Sequence, residues 1–208
     1  MNPVIHIISN GKQDLAAIER ILLMIGSTID FFHIREKHRS ARELSLWVES
    51  LTSQGFPLRK LIINDRVDIA LAYGTGGVQL AYHSLSPSLA RHILLPGQKI
   101  GVSVHSVEEA IRGVREGADY LLYGHVFPSG SKPGLAPRGL HSLQQVVESV
   151  SIPVIALGGI TPDNVLDVLS TGCAGIAIMS AVIDAEDPLQ VIQSIREKFS
   201  QKEEEKKE

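Results

Sequence analysis

Short apolar runs alternate along the chain with longer stretches in which apolar residues return every three or four positions, which predicts strands interleaved with amphipathic helices. Three segments repeat one pattern: an amphipathic helix, a glycine, then a short β-branched or apolar run. They are Val67 to Leu80 through Gly74, Glu108 to Tyr123 through Gly117, and Asn164 to Met179 through Gly172. Each glycine can take the left-handed conformation that ends a helix before the chain turns into a strand. Filling the intervals predicts strands near Val4-Ile8, Ile29-Arg35, Lys60-Asn64, Gly77-Leu80, Lys99-Ser103, Asp119-Tyr123, Pro153-Leu157 and Gly175-Met179. Helix starts are signalled by the capping-box spacing of Ser106 and Glu109, and by Thr161-Pro162 and Asp187-Pro188, which each set an N-cap residue before a first-turn proline.

Runs such as Pro153-Val154-Ile155-Ala156-Leu157 are apolar at nearly every position, as expected of parallel strands covered on both faces. Eight such units in about 200 residues predict an α/β fold, a single-domain (β/α)8 TIM barrel. The barrel is expected over residues 1–200, and the charged segment 201–208 is expected to be a disordered C-terminal tail. A doubly wound open sheet is the alternative, but no Gly-x-Gly-x-x-Gly follows the first strand.

Composition narrows the classes of function. The 208 residues are 44% hydrophobic and 21% charged, enough for one substantial core. A formal net charge of -3 gives no basic field for nucleic acid, so none is expected as a partner. Met1-Asn2-Pro3 leads into a β-like run rather than a signal peptide, and no apolar stretch has the length of a membrane span, about 18 residues. The single cysteine, Cys173, excludes an internal disulfide and offers no zinc cluster. A cytoplasmic location is therefore expected.

Barrel enzymes place their chemistry at the C-terminal ends of strands and on the loops that follow. After the sixth strand stands Gly124-His125-Val126-Phe127, followed by the lid-like Pro128-Ser129-Gly130-Ser131-Lys132-Pro133-Gly134. His125 is thus a candidate general acid and base, with a hydrogen-bonded loop histidine as the plainer reading. Along the second unit His33, Arg35 and Lys37 share one parity and suit an anionic substrate, although Arg35 and Glu36 could instead belong to an ordinary ion-pair network. Asn64-Asp65 ends the third unit and Ser103 the fifth. Gly158-Gly159 ends the seventh, where bare backbone N–H groups can approach a phosphate, and Met179-Ser180 closes the eighth. A tight turn would also account for the glycines.

Six motifs taken together resemble the thiamine phosphate synthase family over nearly the whole chain. They are Ile34-Arg35-Glu36-Lys37, Ile63-Asn64-Asp65-Arg66-Val67-Asp68-Ile69-Ala70, Gly101-Val102-Ser103, Gly117-Ala118-Asp119-Tyr120, Val154 through Val165, and Gly175-Ile176-Ala177. The resemblance implies a (β/α)8 barrel and a Mg²⁺-dependent joining of a pyrimidine pyrophosphate to a thiazole phosphate. It also implies two metal carboxylates, of which Asp65 is one; Ser84 stands where the second is expected. His125 replaces a proline of the synthase pattern, and Ser129-Gly130-Ser131-Lys132 replaces its Thr-x-Thr-Lys lid.

The Gly-His-Val-Phe sequence is similar to that of the related TenI-type thiazole tautomerases, and this likeness sets the main expectation. It implies an isomerase that converts an exocyclic-alkene carboxythiazole phosphate into the aromatic ring, with His125 as proton shuttle. The partner would be a small phosphorylated thiazole carboxylate, held by Arg35, Lys37, Asn64, Ser103, Lys132, Gly158, Gly159, Met179 and Ser180. No metal and no cofactor would be needed, and a homodimer is expected. Two alternatives stand beside it, a thiamine phosphate synthase and a non-catalytic ligand-binding regulator. Ser84 counts against the first and His125 against the second.

Overall fold

The computed structural model describes residues 3–130, 132 and 134–205. Eight parallel strands close into one barrel in sequence order, as the repeated pattern predicts. They are β1 (Val4–Ile8), β2 (Phe31–Ile34), β3 (Leu61–Asn64), β4 (Gly77–Leu80), β5 (Lys99–Val104), β6 (Tyr120–Gly124), β7 (Val154–Leu157) and β8 (Gly175–Ile178). Between them run α1 (Leu15–Ile25), α2 (Ala41–Ser53), α3 (Val67–Tyr73), α4 (Pro87–Ile93), α5 (Val107–Arg115), α6 (Gly139–Ser149) and α7 (Val165–Ser170). After β8 come the short α8 (Ser180–Ile183) and the long α9 (Pro188–Glu205). Residues 201–205, assigned to the tail by their charge, lie within α9, and 206–208 are outside the described residues. No helix among the described residues is long and apolar enough to cross a membrane.

Local chemistry sets several of these boundaries. Ser40 and Glu43 form a reciprocal capping box at α2. Asp187 accepts from Gln190 N at 2.9 Å, so α9 starts at Pro188 as its dipeptide predicts. The box expected at α5 is half formed: Ser106 accepts from Glu109 N, but Glu109 turns to the backbone and ring of His105. Pro162 does not open α7, because Asn164 accepts from Thr161 N and donates to Gly159 O, spending the intervening residues on a turn.

Strand alternation sorts side chains into two cores. The outward set, including Ile5, Ile7, Phe32, Ile34, Ile63, Leu121 and Ile176, packs beneath the helices in one large cluster. The inward set is smaller: Ile8, Tyr120, Leu122, Ile155 and Ala177 touch inside the barrel. Polar residues share that interior, with His6, His33 and Gln79 all buried. Gly101 on β5 makes room for Gln79 and Tyr120, since a Cβ there would lie 2.5 Å from Tyr120 Oη and would overlap Gln79 Oε1.

Helix α9 is tied to the segments that lead into β1 and β2. Arg196 on α9 donates to Thr28 O and Pro3 O and, at 2.8 Å, to Asp30 Oδ2, which also accepts from Ile5 N. Ile192, Ile195 and Phe199 bury the same face of α9, at roughly 1.5–3 kcal/mol for each fully buried side chain.

The interior histidines link stability to pH. His6 Nδ1 and His33 Nε2 are 2.8 Å apart. Burial pushes His6 down to about 3. Burial first, then the neighbouring His6, pushes His33 well below its ordinary value against an opposing contact with Asn64. Both titrate in the unfolded chain near 6.5 and stay neutral in the folded one, so the unfolded state binds more protons as pH falls below that value. Stability should therefore be complete above about pH 7 and fall by about 1.4 kcal/mol per pH unit per histidine between about pH 6 and 4. Denaturant midpoints across that window check this, and His6→Phe should make the decline shallower.

Candidate functional site

The C-terminal mouth of the barrel gathers the residues singled out from sequence. The end of β3 brings Asn64 and then Asp65, the single described non-glycine residue with positive φ, at 64°. Such backbone is costly for a side chain bearing a Cβ and is held here by its surroundings. Asp65 N donates to Gln79 O, and Asp65 Oδ1 accepts from Ser84 Oγ at 2.5 Å. His83 Nε2 stands 3.5 Å from the other carboxylate oxygen. The position expected to carry a second carboxylate thus still adjoins Asp65, through a hydroxyl.

Cations collect across the mouth. Strand β2 ends at Ile34, so Arg35 and Lys37 sit on the loop beyond it rather than on an extended strand. Burial, and then the charges of Arg138, Arg35 and Lys37, push the Lys132 ammonium below its ordinary value. Lys132 thus feels three further positive groups, from its own loop and from the loop after β2. Such a field attracts a multiply charged ligand.

The residues after β6 and β7 are laced together. Val126 N donates to Leu157 O and Phe127 N to Gly158 O. A Cβ on Gly158 would lie 2.8 Å from His125 Cα, and one on Gly159 would lie 2.5 Å from Pro128 O. Both glycines have positive φ, 104° and 66°. The crossing chain thus requires them, whatever else approaches their backbone. Ser180 opens α8 at the adjacent strand end, directly after Met179.

His125 is 5% exposed, and its Nε2 faces Leu135 O at 3.3 Å. Its Nδ1 is buried without a partner. Arg138 donates through Nε to Gly124 O and through N to His125 O, so the segment after the lid is stitched to the end of β6. Ser131 and Pro133 of the lid lie outside the described residues.

Ser103 accepts from Gln79 Nε2 at 3.0 Å. Gln79, Tyr120 and His6, which underlie the mouth, are absent from the sequence-based set of site residues. Their signal is a polar residue at an inward position of a short apolar strand, as in Val4-Ile5-His6-Ile7-Ile8. Two open crevices of about 350 and 580 Å³ lie instead toward the N-terminal face and share Arg59 and Lys60. Lys60 Nζ is already bound to Gly26 O and Ile29 O there.

Comparison with known proteins bears on what this mouth does. A family model described as thiamine monophosphate synthase matches residues 3–182. A thiamine-phosphate synthase of Chlorobium phaeovibrioides is 42% identical over 190 residues, 89% of each chain. Another from Chloroflexus aurantiacus is 39% identical over 194 residues, 91% of this chain and 87% of its own. The solved structure of a thiamine phosphate pyrophosphorylase from Pyrococcus furiosus superposes with a TM-score of 0.80 at 35% identity, covering 95% of this chain and 96% of that one.

These relatives correct the expected tautomerase and isomerase assignment, because they carry the synthase name at substantial identity across nearly the full barrel. The physical reason lies at two positions. Ser84 was weighed as the loss of a metal site, yet Mg²⁺ needs only one or two carboxylates when substrate phosphates supply other oxygens. His125 was weighed as a proton shuttle, yet it is buried with its Nε2 facing Leu135 O. With its fold, its strand-end residues and a match across residues 3–182, the chain belongs to the thiamine monophosphate synthase family.

Proposed function

We propose that this protein joins a pyrimidine pyrophosphate to a thiazole phosphate, as a thiamine-phosphate synthase. The observation that carries this reading is the meeting of the four-cation mouth with Asp65 and Ser84, in a chain about 40% identical to proteins of that name. Arg35, Lys37 and Lys132 hold the pyrophosphate. Asn64 and Ser103 face the ring, and Gly158, Gly159, Met179 and Ser180 surround the thiazole phosphate. The bond from the pyrimidine methylene carbon to the pyrophosphate oxygen breaks with its electron pair leaving on oxygen, and the thiazole nitrogen forms the new carbon–nitrogen bond.

Asp65 and Ser84 fit Mg²⁺ as one carboxylate beside one hydroxyl, within the range this ion accepts when a pyrophosphate completes its oxygens. When bound, the ion supplies positive charge that stabilises the departing pyrophosphate. This replaces the expectation of a metal-free reaction. In the same reading His125 holds Leu135 rather than moving a proton, and Lys132 meets the pyrophosphate.

The test is incubation of the protein with both substrates and Mg²⁺, with chromatographic detection of thiamine phosphate. Product should form and should stop forming when EDTA is added. A folded protein that makes no thiamine phosphate under these conditions refutes the assignment.

A further inference from the structure

We propose that two buried hydrogen-bond chains, His6 to His33 to Asn64 and Tyr120 to Gln79 to Ser103, fix Asn64 and Ser103 as hydrogen-bond donors toward the substrate ring. The floor of the barrel then selects a heterocycle that presents acceptor atoms. His6, His33, Tyr120 and Gln79 act as positioning residues, and the inference rests on the placement of the ring substrate at the mouth.

Four buried polar atoms inside the barrel lack a partner: His33 Nδ1, Asn64 Oδ1, Gln79 Oε1 and Tyr120 Oη. They sort into two complementary pairs. His33 and Asn64 point inward from adjoining strands, with His33 opposite Ile62 and Asn64 two residues further along. Tyr120 Oη and Gln79 Oε1 both abut the space left by the missing Cβ of Gly101. Each pair offers one possible donor to one acceptor.

Proton counting fixes the direction of the first chain. Asn64 Oδ1 can only accept, so it is satisfied only if His33 carries its proton on Nδ1. A neutral imidazole has one proton, which leaves His33 Nε2 as an acceptor, and the 2.8 Å contact then runs from His6 Nδ1–H to His33 Nε2. Burial keeps both rings neutral. With its oxygen engaged below, Asn64 turns its NH₂ group to the mouth. The opposite tautomer would set two acceptors face to face.

The second chain ends in the same sense. Burial raises the Tyr120 phenol far above its ordinary value, so it stays a donor and pairs with Gln79 Oε1. Gln79 Nε2 donates to Ser103 Oγ at 3.0 Å, which leaves the Ser103 hydroxyl proton free for the ligand. A site built on fixed donors rejects an analogue without acceptors, because the buried donors would go unpaired.

The experiment combines spectra and kinetics. Long-range ¹H–¹⁵N imidazole spectra of the wild-type protein should show both His6 and His33 protonated on Nδ1. Tyr120→Phe, which removes one hydroxyl, should raise KM for the pyrimidine pyrophosphate about 10-fold with kcat within about threefold, and should cut discrimination against an analogue with C–H in place of a pyrimidine ring nitrogen. His6→Phe should act likewise, and its effect should vanish in an Asn64→Ala background. His33 protonated on Nε2, or a Tyr120→Phe effect that persists unchanged alongside Ser103→Ala, overturns the proposal. Absence of condensation by the wild-type protein would refute the proposed function instead, and the tautomer spectra would still decide the chains.

Discussion

Asp65→Ala should lower kcat for condensation by about 10²- to 10⁴-fold at saturating Mg²⁺, the range expected when several kcal/mol of charge stabilisation is lost from the leaving group. Asp65, with its backbone at φ 64°, accepts from the Ser84 hydroxyl through Oδ1. Ser84→Ala should cost much less, about 10-fold or under, because a hydroxyl is a weak ligand beside carboxylate and phosphate oxygens. Ser84→Asp should lower the Mg²⁺ concentration that gives half-maximal rate. Steady-state rates across a Mg²⁺ titration measure all three. An Asp65→Ala protein with wild-type turnover would remove that carboxylate from the chemistry.

Gly158→Ala should destabilise the fold by about 3 kcal/mol or more, lowering Tm by about 6–12 °C for a chain of this size. At φ 104° an alanine is strained wherever it has room, and here its methyl would meet the backbone of His125 at 2.8 Å. The loss comes from the crossing of two strand ends, so it should appear in thermal melts without any ligand. A variant that melts with the wild type but loses affinity for phosphorylated thiazole would show instead that the bare backbone serves only the ligand.

Those glycines illustrate what the chain discloses on its own. Eight apolar runs, and glycines at 74, 117 and 172 that take positive φ, announce the barrel because each signal is local. The mouth was legible for the same reason, since strand ends follow from strands. Three things were not legible. The end of β2 at Ile34, which moves Arg35 and Lys37 onto a loop, depends on neighbouring strands rather than on residues 29–37 themselves. The contact between His6 and His33 spans 27 residues and exists only through barrel register, so each looks alone like an oddity in an apolar run. The activity was misjudged because two substitutions, at positions 84 and 125, were given more weight than the rest of the chain. A hydroxyl in place of a carboxylate weakens a metal site without erasing it when the substrate brings its own oxygens.

The Arg196 clasp bears on the order in which the barrel assembles. Its targets, Pro3, Thr28 and Asp30, are separated from Arg196 by 166 to 193 residues along the chain. Before β8 pairs with β1, the sheet carries two open edges able to pair with other chains. Ring closure of this kind joins residues at opposite ends of the polypeptide, which makes the last step of assembly slow relative to the docking of neighbouring units. Helix α9 therefore adds contacts that form late, once the neighbouring strands have docked.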